Sequence, residues 1–292
     1  MNAGGSPARV KSATGRTPRI GLALGGGGAR GLAHIHAIEA LDELGVRPVA
    51  IAGSSIGAIM GAGMAAGLDG KAIREYAHAT LSRGSEVMAR LWKARPKDVT
   101  SFVTGLRLTQ FDGEQVLRAF LPDNIPDRFE DLAIPLLVTA TDYFGHGLAV
   151  LSSGPLYSAL AASSALPAVF KPVERDGMTL IDGGIFNPVP FDLLEGKADI
   201  VVAIDVVGAP EKLDRRRPSS IDIMFGASQL MMQSVIAEKL KTQRPAVFLR
   251  PPVSRFRVLD FMKVDAVLNE TRAFKDDVKH VVEAALTFGA VG

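Results

Sequence analysis

The stretch I-G-L-A-L-G-G-G-G-A-R-G, residues 20–31, starts as a strand and ends at the mouth of a helix. Its first five residues are a continuous apolar run, the pattern of a strand covered on both faces. Four glycines stop that run, and apolar residues at helical spacing continue from Leu32 to Leu44. A second apolar strand follows at 49–52, then a turn of small residues, then a helix over 55–66. Strand, glycine loop, helix, strand, turn, helix is a βαβα opening. It predicts a sheet of parallel strands with helices on both faces.

The rest of the chain continues the alternation. Strands are expected over residues 134–139, 148–151, 200–205 and 246–249, with an apolar strand edge at 178–181. Helices are expected over 156–163, 221–240 and 271–287. Residues 69–121 hold helical pieces without a clear strand. Met88, Leu91 and Trp92 lie there at helical spacing, and Phe102, Val103, Leu106 and Leu108 lie among turn formers. This region is either an insertion packed on the core or a cap lining an acyl pocket. The expected fold class is α/β, a three-layer α/β/α arrangement with a mainly parallel central sheet. Its expected extent is one domain over residues 20–292, behind a flexible basic leader at 1–19 and with a cap-like helical region at about 69–121.

Composition narrows the function. The 292 residues contain no cysteine, which removes disulfides and thiolate chemistry and fits a reducing, cytoplasmic compartment. A net charge of +2 makes no case for a nucleic-acid partner. Arg215, Arg216 and Arg217, beside Asp214, read as a solvated loop. Residues 51–68 are apolar but rich in glycine, so they read as a buried helix and not a membrane span.

Gly26-Gly27-Gly28-Ala29-Arg30-Gly31 matches the G-x-G-x-x-G fingerprint of dinucleotide sites. The acid expected about twenty residues on is missing, since that place reads P-V-A-I-A-G. No Gly-Lys-Ser/Thr follows either, so nucleotide binding is disfavoured. What is left is a nest of backbone N–H groups at a helix start. Such a nest holds an anion, or a negative charge that exists only in a transition state. The plainer alternative is a tight turn.

Gly53-Ser54-Ser55-Ile56-Gly57 fits G-x-S-x-G. In such an elbow the central serine, here Ser55, projects above the sheet, and the next N–H faces the same place. Ser54 would be a helix cap or a small filler, and a capping role for Ser55 is the bland alternative. A serine needs a base. Of the five histidines, His34, His36, His78 and His280 lie in helical segments, and only His146 is on a turn. A carboxylate could serve instead. Asp182, Asp142 and Asp205 each end an apolar run, and Asp182 ranks first because Gly183 and Gly184 permit close approach.

Together these segments resemble the patatin-like phospholipase family and, in length, its bacterial single-domain members. Gly26 to Gly31 resembles the family's oxyanion loop, residues 53–57 its nucleophile elbow, and Asp182-Gly183-Gly184 its Asp-Gly-Gly motif. Residues 162–167 (A-S-S-A-L-P) and 170–172 (F-K-P) resemble its Ser-rich, Pro-containing block. The resemblance implies a Ser55–Asp182 dyad and an acyl-enzyme, without metal or cofactor. The backbone of Gly26, Gly27, Gly28, Ala29 and Ile56 would hold the oxyanion. Arg30, Gly31, Gly53, Gly57, Gly183 and Gly184 would support the site, with Arg30 steadying the loop or meeting a carboxylate. Ser163 and Ser164 would pack beneath it. The implied partner is a phospholipid, lysophospholipid or other acyl ester. An apolar cap over residues 88–108 would add transient contact with a membrane surface. A small-ester esterase or thioesterase, an acyltransferase, and a non-catalytic lipid-binding module remain as alternatives.

Overall fold

A computed structural model describes residues 17–93, 110–212 and 218–288. The expectations for residues 1–16, for Phe102, Val103, Leu106 and Leu108, and for the three arginines at 215–217 lie outside the described residues.

The described strands are β1 (Ile20–Leu24), β2 (Ala50–Ser54), β3 (Leu136–Asp142), β4 (Gly147–Leu151), β5 (Val173–Arg175), β6 (Met178–Asp182), β7 (Ile200–Ile204) and β8 (Val247–Leu249). The described α-helices are α1 (His34–Glu43), α2 (Ile56–Ala65), α3 (Gly70–Leu81), α4 (Gly84–Lys93), α5 (Gly113–Phe120), α6 (Leu156–Ser163), α7 (Ser220–Thr242), α8 (Val264–Glu270) and α9 (Phe274–Phe288). The strands form one sheet in the order β5-β6-β3-β2-β1-β7-β8, with β4 also paired to β3.

The centre of the sheet is parallel, as expected: β1 lies between β2 and β7, β2 also pairs β3, and β7 pairs β8. One flank is antiparallel, which leaves the sheet mainly parallel as expected. β4 and β6 run antiparallel to β3, and β5 runs antiparallel to β6. The fold is therefore α/β with a mixed, mostly parallel sheet flanked by helices. Short apolar runs carry no sign of strand direction, which is why the sequence did not separate these. The helix expected from Leu32 opens as a 3-10 turn, Gly28–Ala33, before α1.

Strand alternation splits the core into two unlike layers. Ile20, Leu22 and Leu24 point into the larger layer, with Ile35, Ile38 and Leu41 of α1, Met60 of α2, and Leu156 and Leu160 of α6. Each such fully buried aliphatic side chain contributes roughly 1.5–3 kcal/mol. Ala23, Ala50, Ala52 and Ala203 face the other way, against Phe191, Leu194 and Ile236 of α7. Small side chains on that face let the irregular segment after β6 lie close to the sheet. Among the described residues no helix is long and apolar enough to cross a membrane.

The arrangement along β3 positions the site. β2 pairs the first half of β3, with Ser54 opposite Thr139. β6 arrives antiparallel on the second half, with Asp182 opposite Ala140. The C-terminal ends of β2 and β6 therefore meet at consecutive positions of one strand.

Candidate active site

β2 ends at Ser54, and the chain turns at Ser55 into α2. Ser55 has φ 52° and ψ −122°. That conformation costs an L-residue about 1–3 kcal/mol and persists only where its surroundings enforce it. A Cβ at Gly57 would lie 2.1 Å from the Leu24 carbonyl oxygen, so the elbow closes only with glycine there. Gly53 lies similarly close to the Ala58 backbone. Ser55 stands at the cap position of α2, yet its side chain makes no capping hydrogen bond. Its hydroxyl lies near the Asp182 carboxylate, close enough to lower the pKa of that group. Ser54 is fully buried and its hydroxyl has no partner among the described residues, so it does not cap the helix.

Asp182 is 8% exposed. Its Oδ1 accepts the Gly184 N–H at 2.8 Å. Burial raises its pKa from 3.8 to about 6, and the Gly184 bond and the nearby Ser55 hydroxyl hold it down against that rise. Two buried threonines of β3 fasten the junction. Thr139 Oγ1 donates to the Gly53 carbonyl at 3.3 Å, and Thr141 Oγ1 donates to the Asp182 carbonyl at 2.8 Å. Gly183 packs on the Thr139 carbonyl, and Gly184 lies by Met232 of α7.

The glycine loop lies next to the elbow. Gly26 sits beside Ser55 Cβ, and Gly31 packs on Ile56. Not all of its amides are available. Gly26 N–H donates to the Pro188 carbonyl at 2.9 Å, and Ala29 N–H donates to the Val258 carbonyl at 2.8 Å. These two brace the loop and cannot also meet an oxyanion, which corrects the expectation for Gly26 and Ala29. Among the described residues the N–H groups of Gly27, Gly28 and Ile56 have no partner. Gly28 adopts φ +59°, and a Cβ there would lie 2.2 Å from the Val258 carbonyl oxygen.

Arg30 is 1% exposed, and its Nε donates to the Gly27 carbonyl at 3.0 Å. In a trans peptide the carbonyl and the following N–H point opposite ways. Arg30 therefore turns the Gly28 N–H away from itself and fixes the plane of that peptide. Burial lowers its pKa to about 10 and the charge of Asp205 opposes this, so it remains a cation at neutral pH.

The other candidates are engaged elsewhere. Asp142 accepts the Gly145 N–H at 3.0 Å in the β3–β4 turn. Asp205 pairs with Arg250 at 2.7 Å and accepts the Val207 N–H at 2.9 Å. None of the five histidines is bonded to Ser55. His34 donates from Nε2 to the Gly25 carbonyl at 2.8 Å, and burial lowers its pKa to about 4. His36 bonds the Leu268 carbonyl, His78 pairs with Asp265, and His146 and His280 are exposed. Two surface clefts, one at Asp42, Met64 and Ile134 and one at His36, Arg74 and Lys275, contain neither Ser55 nor Asp182.

Three contacts were not foreseen. Ser163 Oγ accepts the Ser55 N–H at 2.8 Å, so the second serine pair touches the elbow directly and does more than pack beneath it. Lys239 of α7 donates to Asn187 Oδ1 at 2.6 Å and to the Val189 carbonyl at 3.0 Å, and also pairs with Asp192. Lys239 thereby holds the same segment whose Pro188 carbonyl braces Gly26. The third is the pair of β3 threonines. Only Asn187-Pro188, a turn signal shortly after Asp-Gly-Gly, hinted at any of this.

The patatin-like phospholipase family matches residues 22–195. An uncharacterised NTE family protein of Mycobacterium tuberculosis is 38% identical over 205 residues, covering 70% of this chain and 53% of that protein. Human patatin-like phospholipase domain-containing protein 6 is 31% identical over 283 residues, covering 87% of this chain and 20% of its own length. The chain thus spans about half the length of the mycobacterial relative. Among solved structures, VipD from Legionella pneumophila shares the fold, with a TM-score of 0.50 at 14% identity over 94% of this chain and 69% of VipD.

Proposed function

This chain belongs to the patatin-like phospholipase family, and we propose that it hydrolyses carboxylic esters of lipids, phospholipid or lysophospholipid, through a Ser55–Asp182 dyad. The observation that carries this reading is a serine on a strained elbow whose hydroxyl lies close enough to a buried carboxylate to hold down a pKa that burial raises to about 6. A base with that pKa is ionised at neutral pH and still basic enough to take a proton in the transition state.

Ser55 Oγ attacks the ester carbonyl as its proton passes to Asp182. The carbonyl oxygen becomes an oxyanion, held by the unpartnered amides of Gly27 and Gly28, with that of Ile56 at the start of α2. Collapse of the intermediate breaks the bond to the alcohol, which leaves with the proton from Asp182. Water then gives a proton to Asp182 and attacks the acyl-enzyme, and the acid leaves as Ser55 recovers its proton. Arg30, Thr139 and Thr141 hold the reacting groups in place and touch no reacting atom. On the same reading α4, with Met88 and Trp92 exposed, belongs to an apolar cover over the acyl chain, and the enzyme works in the cytoplasm at a membrane surface.

A substrate panel tests this. Lysophospholipids, diacyl phospholipids, short-chain aryl esters and acyl thioesters would be given to the wild type and to Ser55→Ala. Release of fatty acid from a lipid ester, absent in S55A, is expected. Turnover of none of them, or equal turnover by S55A, would remove the proposal. Preference for the thioester or the short ester would move the substrate class.

A further inference from the structure

We infer that the end of α6 is the jig that sets the dyad: Ser163 is a positioning residue for Ser55, and the Ala165 carbonyl serves Asp182 in the same way. This rests on the dyad reading above. The Ser55 N–H donates to Ser163 Oγ at 2.8 Å. The Asp182 N–H donates to the Ala165 carbonyl at 3.2 Å. Two amides far apart in the chain therefore end on one short stretch, where the chain leaves a helix.

That stretch is tied into the core and to itself. Ser163 is fully buried in the last turn of α6, which is anchored in the larger core by Leu156 and Leu160. The next residues continue in tight turns, with Ala165 N–H on the Ala162 carbonyl and Leu166 N–H on the Ser164 carbonyl. A jig is useful here because Ser55 is strained. Its φ of 52° is not a conformation the residue would keep unaided. A bond to its own N–H fixes the peptide plane and, through Cα, the direction of Cβ–Oγ. Asp182 is held at both ends, by Ala165 at its N–H and by Thr141 at its carbonyl. Each bond fixes orientation, and small errors in a reacting geometry cost large factors in rate.

Ser164 supplies the internal control. It is the neighbouring residue, yet its hydroxyl is buried with no partner among the described residues. The two serines differ in contact, not in chemistry.

The test compares Ser163→Ala, Ser163→Thr and Ser164→Ala for kcat and KM on a soluble ester, for the rate of fluorophosphonate labelling, and for hydrogen exchange at the Ser55 amide. S163A is expected to lose about 10- to 100-fold in kcat and in labelling rate, with KM changed less than about twofold. S163T keeps the acceptor oxygen and is expected to recover to within about threefold of wild type. S164A is expected to match wild type. Exchange at Ser55 should quicken in S163A alone. Wild-type kcat in S163A, an equal loss in S164A, or a loss that vanishes once rates are normalised to the folded fraction would overturn the inference. If the wild type turned over no ester, the dyad reading would fall, and exchange at Ser55 would still decide the jig: protection unchanged in S163A would overturn it.

Discussion

At the elbow, Ser54 closes β2 with a buried, unpartnered hydroxyl, while Ser55 stands at φ 52° with its hydroxyl near Asp182. At the end of α6, Ser163 accepts the Ser55 N–H, while Ser164 is the buried, unpartnered member. Each pair thus has one engaged hydroxyl and one idle one. The engaged serine is the second of the pair at the strand end and the first at the helix end. A strand end alternates faces, so the next residue swings out above the sheet. A helix end keeps its last residue, Ser163, on the packed face. Backbone position, not residue type, separates the roles.

The comparison is broken most severely by removing the engaged hydroxyl at the elbow. Ser55→Ala is expected to lower ester turnover by at least about 10⁴-fold, measured as kcat/KM. Asp182→Asn should cost about 10³- to 10⁴-fold, because the base is gone while the fold stays. The same variant reports on strain. The folded pKa of about 6 lies above the ordinary 3.8, so the folded state binds the proton more tightly than the unfolded state does. The stabilisation that this proton gives is full below about 3.8 and is lost as pH rises through about 6. D182N should therefore melt higher than wild type at pH 8 and no higher at pH 4, by calorimetry at the two values.

A smaller effect is expected from pH itself. Wild-type kcat/KM should be level above neutrality and fall about tenfold per unit below an apparent pKa near 6. Arg30→Lys keeps a cation but loses the Nε bond to Gly27. It should lower kcat about tenfold, less than outright loss of an oxyanion donor would cost. Smallest of all is Ser54→Ala. It removes an unsatisfied buried hydroxyl, so stability should hold or rise by up to about 1 kcal/mol in denaturant titration, with turnover within about threefold.

Much of this site was legible in the sequence because each part announces itself locally. An apolar run before four glycines, a G-x-S-x-G turn, and Asp-Gly-Gly at a strand edge all report their backbone needs within a few residues. What could not be read depends on partners far along the chain. Nothing near Gly26 or Ala29 says that Pro188 and Val258 take their amides. Nothing near Ser163 says that its hydroxyl takes the Ser55 N–H. β5 was missed because V-E-R has no apolar pattern, and its pairing with β6 alone makes it a strand. The direction of β6 was also hidden, although it is what brings Asp182 to the end of β2.

The central claim is that Ser55, not its neighbour, is the nucleophile and that Asp182 activates it. Labelling with a fluorophosphonate, followed by peptide mapping in the mass spectrometer, tests it most directly. The account predicts one adduct, on Ser55, formed more slowly below pH 6 and abolished in S55A but not in S54A. An adduct on Ser54, or full-rate labelling of Ser55 in D182N, would contradict it.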